Sequence, residues 1–444
     1  MTQTVPSASV ESAALAQAVA RARDRYVREH PASRAAHEAA TRVLPGGNTR
    51  TTIFHDPFPL TVRGGSGARL TCVDGHAYVD MLGEYTAALY GHSRPEIRAA
   101  IDAALDRGIN LGAHGAMEER LASLICERFP SIERVRFTNS GTEANLMAVA
   151  TAIAVTGRRK VLVMEGGYHG ALMYFGAGGT PVNVPHAFVL GRYNDAEGAA
   201  RLVDANAGEL ACILVEPMLG AGGCIPGTAE FLQALRDGAT RAGAILIFDE
   251  VMTSRMSAGG RQAQLGITPD MTTLGKYIGG GMSFGAFGGR ADLMRRYDPR
   301  SPGALPHGGT FNNNVLSMAA GVAGLSQVFT APVADALFAR GEALRARLNG
   351  AAAQRRIAAL WTGLGSAATV HFGVTAPIRC PADAAGADPL ALELFFFDML
   401  ARGYYFARRG MMALNLDLDA ADLDAFARAW EAFLDDNGAL LPAT

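Results

Sequence analysis

Between about Tyr85 and Val328, short apolar runs alternate with longer stretches of helical pattern. The runs 134–137, 160–164, 211–215, 244–248 and 271–274 are the strand candidates, read as strands covered on both faces. Helices are predicted between them, among others at 143–155 and 229–242. Strands of this kind, separated by helices, predict a mostly parallel sheet with helices on both sides, an α/β architecture. In such sheets ligands bind beyond the carboxyl ends of the strands.

Outside this region the pattern changes. Residues up to about Ser12 are polar and read as loosely held, and 13–30, rich in alanine and arginine, predicts a helix stopped at Pro31. From Phe58 to Asp80, apolar residues alternate around the turn signals Gly65-Ser66-Gly67 and Asp74-Gly75, predicting a small meander. After Val328 come a helix, strands near Leu360 and Leu414, and a final helix over 420–434. The expected division is therefore a large domain over 85–328 and a smaller α+β domain built from 1–84 and 329–444.

Composition narrows the function classes. In 444 residues, 49% are hydrophobic and 18% charged, enough for an extensive core and too apolar for wholesale disorder. A net charge of -2 supplies no electrostatic footprint for nucleic acid or an anionic membrane. No apolar run is long enough to span a bilayer, and no basic flank with an apolar stretch opens the chain. The five cysteines and ten histidines show no metal-ligand spacing, so no metal is expected, and scattered thiols fit a reducing, cytoplasmic setting.

The candidate chemistry sits at strand ends. Asp249 closes the run Ile245-Leu246-Ile247-Phe248, and Lys276 follows Thr272-Thr273-Leu274-Gly275. A lysine and an aspartate so placed suit pyridoxal 5'-phosphate: the lysine binds the aldehyde, and the carboxylate keeps the pyridine nitrogen protonated so that the ring accepts electrons. Apolar Leu274, Tyr277 and Ile278 around Lys276 predict burial and a lowered pKa. Val251 is expected on Asp249's side of the chain if the strand continues, placed to pack under the ring. Thr138-Asn139-Ser140-Gly141-Thr142-Glu143 is a polar turn opening a helix, read either as ordinary capping or as a phosphate cradle of free amides with the hydroxyls of Ser140 and Thr142. Tyr168, in Gly167-Tyr168-His169-Gly170 after another strand, is placed to stack on a flat heterocycle. Gly363-Leu364-Gly365-Ser366 mimics a dinucleotide fingerprint, but Thr369-Val370-His371-Phe372 reads as a strand where a helix must open.

With these pieces in place the chain resembles the class III (omega-type) aminotransferases of pyridoxal phosphate fold type I. The motifs that carry the resemblance are Ser140-Gly141-Thr142-Glu143-Ala144, Gly167-Tyr168-His169-Gly170, Glu216-Pro217, Phe248-Asp249-Glu250-Val251 and Gly275-Lys276. It implies Lys276 bonded to the cofactor, Asp249 at the ring nitrogen, Tyr168 stacked on the ring, and Ser140, Gly141 and Thr142 on the phosphate. It further implies a homodimer with shared active sites, Thr310 in Gly308-Gly309-Thr310-Phe311-Asn312 reaching the partner's phosphate. Within the class, Pro45-Gly46-Gly47-Asn48-Thr49-Arg50 is similar to a substrate-carboxylate segment of glutamate-1-semialdehyde aminomutases and aromatic β-amino acid (β-phenylalanine) aminotransferases. Glu216-Pro217-Met218-Leu219-Gly220-Ala221-Gly222-Gly223-Cys224-Ile225-Pro226 and the segment 280–290 look closer to the β-amino acid enzymes, and Tyr404-Tyr405-Phe406-Ala407-Arg408-Arg409-Gly410 departs from the aminomutases.

The implied reaction is transamination of a β-amino acid to a 2-oxo acid, 2-oxoglutarate or pyruvate. Arginine's planar fork suits carboxylates, which makes Arg50 the candidate for the donor carboxylate and Arg409 for the acceptor's. Tyr85, Phe54 and Met252 are candidates for an apolar side-chain pocket or, equally, for plain core packing. The rivals are a glutamate-1-semialdehyde aminomutase, which needs no external acceptor, and a catalytically silent protein that keeps the cofactor as a ligand.

Overall fold

The chain is described here by a computed structural model, which covers residues 10–444. Seven strands form its central sheet, in the spatial order Arg134–Thr138, Gly285–Gly289, Met271–Gly275, Ile245–Asp249, Leu210–Val215, Lys160–Met164 and Ala187–Gly191. All five runs read as strands are in it, and four are buried as expected; Arg134–Thr138, at one edge of the sheet, is only partly covered, with Arg134 exposed. From Met271–Gly275 to Ala187–Gly191 every pairing is parallel. Gly285–Gly289 runs antiparallel to both its neighbours, so Arg134–Thr138 again points the same way as Met271–Gly275. Thr138 and Gly275 both pair with Gly285, which sets the turn at Ser140 and the lysine at 276 on one rim of the sheet.

Two strands escaped the sequence pattern. Gly285–Gly289 has three glycines in five residues and looks like a turn. Those glycines are steric necessities: a Cβ at 285 would lie 2.1 Å from the Ser140 carbonyl oxygen, and one at 289 would lie 2.3 Å from that of Asp270. Ala187–Gly191, at the sheet's other edge from Arg134–Thr138, is only half-buried, so its apolar signal is short.

The helix Gly141–Thr156 is capped by Ser140, whose side chain accepts from Glu143 N. Thr228 does the same for Ala229–Ala242, bonding Phe231 N. Near the start, Pro31 ends the helix Val10–Glu29 but also opens a second one, Pro31–Ala40, at the position where a missing N–H costs nothing. The stretch expected to be loose is helical from Val10 onward; its first nine residues lie outside the described ones.

The meander Val62–Ser66, Arg69–Cys72 and Ala77–Asp80 gains a fourth strand, Tyr404–Tyr405, parallel to Ala77–Asp80, so segments from both ends of the chain share one sheet. Ala359–Leu364, Ala367–Phe372 and Met411–Ala413 form another. The glycines at 363 and 365 therefore belong to a hairpin, and no helix opens there. Trp361, Phe372, Phe395, Trp430 and Phe433 pack ring against ring beneath it. No single helix among the described residues is long and apolar enough to cross a membrane.

Candidate functional site

Asp249 is the last residue of its strand and 4% exposed. Its Oδ2 accepts from Asn145 Nδ2 at 2.8 Å and lies 2.8 Å from His169 Nδ1, and its Oδ1 accepts from Val251 N at 3.0 Å. Asn145 is oriented in turn by Thr273, whose hydroxyl donates to Asn145 Oδ1 at 2.6 Å. The carboxylate is thus held from the helix Gly141–Thr156, the 167–170 turn and the neighbouring strand at once. A buried carboxylate is tolerable only with such donors, and they aim it. His169 Nε2, also buried, has no partner among the described residues.

Lys276 directly follows Gly275 and holds a left-handed backbone, φ 57°. For a residue with a side chain this costs about 1–2 kcal/mol, and it swings the lysine off the strand axis. Its ammonium donates to the Tyr85 carbonyl at 2.6 Å. Lys276 keeps some access to solvent, yet protein surrounds it densely enough that burial pulls its pKa down to about 8, against the attraction of Asp249 and Glu216. Glu216 stands at the end of Leu210–Val215. It accepts from Tyr168 N and Gly220 N, each at 2.9 Å, and burial, reinforced by Asp249, pushes it up to about 7 against the opposing pull of His169.

Ser140, Gly141 and Thr142 open the helix on the same rim. The first turn's N–H groups have no intrahelical acceptors, and Glu143 reaches back to Asn139 N at 2.9 Å. A Cβ at Gly141 would lie 2.9 Å from Val251 Cγ2, and one at Gly170 (φ +104°) would lie 2.2 Å from Thr142 Oγ1. Glycine alone lets the helix start, Val251 and the 167–170 turn close up. Val251 sits between Gly141 and Gly275, carried there by a turn, because the strand stops at Asp249 and does not continue as expected.

The rim above is polar and open. Tyr168, 41% exposed, meets Tyr174 edge-on at 5.6 Å. Arg50 Nη1 is paired with Glu84 Oε1. The Arg409 guanidinium lies over the Tyr85 ring, 5.1 Å from its centre, and has no carboxylate partner among the described residues. Of the other pocket candidates, Met252 packs on Gly220, while Phe54 is 40% exposed beside His37. Thr310 lies on an exposed turn, which Asn312 ties to Asn139 by a 3.0 Å hydrogen bond.

The family described as aminotransferase class III matches residues 53–372 of the chain. The chain is a class III aminotransferase. It is 53% identical to a β-phenylalanine transaminase of Variovorax paradoxus over 97% of this chain and 99% of that one. A crystal structure of a β-phenylalanine aminotransferase from the same organism superposes with a TM-score of 0.95, at 53% identity over 97% of this chain and all of that one. A transaminase solved with pyridoxal phosphate bound superposes at 0.83, with 32% identity over 92% of this chain and 98% of that one.

Pyridoxal phosphate is the cofactor of this aminotransferase, and the residues present fit it. A buried carboxylate held in place by Asn145, His169 and the Val251 N–H suits a protonated ring nitrogen; free amides on a sixteen-residue helix suit a phosphate. The lysine is accessible and has a lowered pKa. Sequence reasoning named Lys276, Asp249, Tyr168 and the Ser140 turn, and the structure gathers them on one rim. It missed the orienting roles of Asn145, Thr273, His169 and Glu216. Threonines in an otherwise apolar strand, and a glutamate closing another as Asp249 does, were the available signals. Glu84 had none, because its turn is left-handed at Glu84, Tyr85 and Thr86 without glycine at those positions.

Proposed function

We propose that this aminotransferase moves the amino group of a β-amino acid with an aromatic side chain, such as β-phenylalanine, to a 2-oxo acid, 2-oxoglutarate or pyruvate. The observation that carries the reading is that two differently held arginines, Arg50 and Arg409, meet one turn, Glu84-Tyr85, whose Tyr85 carbonyl also takes Lys276. A donor whose carboxylate lies one carbon farther from nitrogen than the acceptor's needs two such sites. The likeness to a β-phenylalanine transaminase supports it.

When bound, the cofactor supplies the electron sink that stabilises negative charge on the amine-bearing carbon. Ser140, Gly141 and Thr142 would hold its phosphate, Asp249 its ring nitrogen, and Tyr168 and Val251 its two faces. Lys276 Nζ, freed by the incoming amine, takes the proton from the amine-bearing carbon and keeps it for return; a pKa near 8 lets one group do both. Asn145 and His169 keep Asp249 aimed throughout. Arg50 orients the donor carboxylate and Arg409 the acceptor's. The chain works as a homodimer, with Thr310 completing the partner's phosphate site; the outward-facing Val43, Leu111 and Phe311 support a covering second copy.

Purified holoenzyme given racemic 3-amino-3-phenylpropanoate alone is expected to lose the visible band of its bound cofactor, and 2-oxoglutarate or pyruvate to restore it. Light scattering is expected to give the mass of two chains. A band that ignores this donor and answers glutamate-1-semialdehyde instead makes the protein an aminomutase. A band that answers neither leaves a cofactor-holding protein without this chemistry.

A further inference from the structure

The segment 83–86 touches every positive group of the site. Gly83, Glu84, Tyr85 and Thr86 have φ of 51°, 47°, 52° and 80°, a run of left-handed residues of which only the first is glycine. Such a run persists only where its surroundings over-determine it. Here Asp80 Oδ1 accepts from Leu82 N and Gly83 N at 2.9 and 3.0 Å, and His92 Nε2 holds Asp80 Oδ2 at 2.9 Å. The turn so fixed presents the Tyr85 carbonyl to Lys276, the Tyr85 ring to Arg409, and the Glu84 carboxylate to Arg50.

The two arginines are therefore in opposite states. Arg409 stacks on a ring with no carboxylate against it among the described residues, so its charge is left for an incoming anion. Arg50 already carries one: its backbone N donates to Asn48 Oδ1 at 3.1 Å, and its guanidinium is closed by Glu84. Both side chains of that pair are about half exposed, at 46% and 51%. An exposed pair of this kind is weak, so another carboxylate can take its place at small cost. We propose that Glu84 is an internal stand-in for the substrate's carboxylate: it neutralises Arg50 until a carboxylated substrate displaces it, and it stays in place when an uncharged amine binds. Glu84 is then a specificity-determining residue. It weakens carboxylate binding but spares Arg50 an unpaired charge against an apolar donor.

The proposal rests on the reading that Arg50 takes a substrate carboxylate, and the test separates the two. The probes are 3-phenylpropanoate, which has the carboxylate but no amine and is followed by calorimetry on the holoenzyme, and the donors 3-amino-3-phenylpropanoate and 1-phenylethylamine. Glu84→Gln is expected to tighten 3-phenylpropanoate and lower KM for the β-amino acid about two- to fivefold, the span of an exposed pair, with kcat little changed. KM for 1-phenylethylamine is expected to rise. Glu84→Asp, one methylene shorter, is expected to shift both in the same direction by less. In an Arg50→Ala background the Glu84→Gln effect is expected to vanish, which a merely structural role for Glu84 would not produce. If Arg50→Ala weakens 3-phenylpropanoate while Glu84→Gln leaves it unchanged or weaker, the stand-in role is overturned and the Arg50 reading survives. If Arg50→Ala leaves 3-phenylpropanoate unchanged, both fall.

Discussion

The floor of the site and its rim are built on different physics. On the floor, Asp249, Asn145, His169 and Thr273 are all at most 4% exposed and joined by contacts of 2.6 to 2.8 Å that cross four elements. None can turn away without stranding a buried polar group, which costs about 1–3 kcal/mol or more for a charged one. On the rim, Arg50, Glu84, Tyr168 and Arg409 can exchange a protein partner for water or for a ligand at little cost. On the proposed reading, the cofactor is aimed by groups that cannot move, and substrates are selected by groups that can. Changes on the floor should fall on kcat, and changes on the rim on KM.

The sharpest way to break this division is at Lys276. Lys276→Ala is expected to lower kcat about 10³-fold or more, since it removes the proton carrier, while the melting temperature changes little. Single-turnover assays over a range of pH check it; a variant within tenfold of the parent would remove Lys276 from the reaction. Asp249→Asn comes next. It keeps the shape but removes the charge and faces Asn145 Nδ2 and His169 Nδ1 with a weaker or mismatched acceptor, so kcat should fall about 10²-fold at nearly unchanged KM. Should the loss appear only in KM, Asp249 would be no more than a cap on its strand.

The same division explains what the sequence discloses. Ile245–Asp249 is apolar up to its last residue and Met271–Gly275 is uncharged, and both are buried throughout, so a charge at the end of either is conspicuous. Asp249, Lys276 and the capped start at Ser140 stand out for that reason. Gly285–Gly289 does not, because backbone crowding rather than side-chain burial selects its residues. The rim is harder still. Arg50 and Arg409 resemble any surface arginine, and the left-handed backbone of Glu84, Tyr85 and Thr86 is imposed from outside by Asp80, His92 and Ala413, whose carbonyl oxygen would stand 3.0 Å from a Cβ at Gly83. Local pattern reports the core; long-range contact decides the specificity turn.

Glu216 lies between the two regions, buried like the floor but bonded to the rim's Tyr168, and pH separates its contributions. Its ordinary pKa of 4.5 rises to about 7 on folding, because burial and Asp249 disfavour the charge. Between those values the folded protein retains a proton that the unfolded chain has released. The stabilisation is complete below about pH 4.5 and is lost as pH rises through 7. Glu216→Gln cannot ionise, so relative to the parent it should gain stability with rising pH across that window, on the order of 2–3 kcal/mol in total. Parallel thermal melts at pH 5, 6, 7 and 8 check the difference. A difference that does not vary with pH would mean that Glu216 is charged throughout, its two backbone N–H donors outweighing its burial.

A small effect is expected at Arg409, which has no carboxylate partner among the described residues. Arg409→Lys keeps the charge but gives up the planar fork and much of the stacking on Tyr85, worth about 0.5–1 kcal/mol at a partly exposed ring. KM for the 2-oxo acid should then rise about two- to fivefold, with KM for the β-amino donor and kcat nearly unchanged. Initial rates with each substrate varied at saturation of the other measure this. A rise confined to the donor would exchange the roles of Arg409 and Arg50. An equal rise for both would mean that the two carboxylates share one arginine, and the open and closed states of the pair would no longer distinguish donor from acceptor.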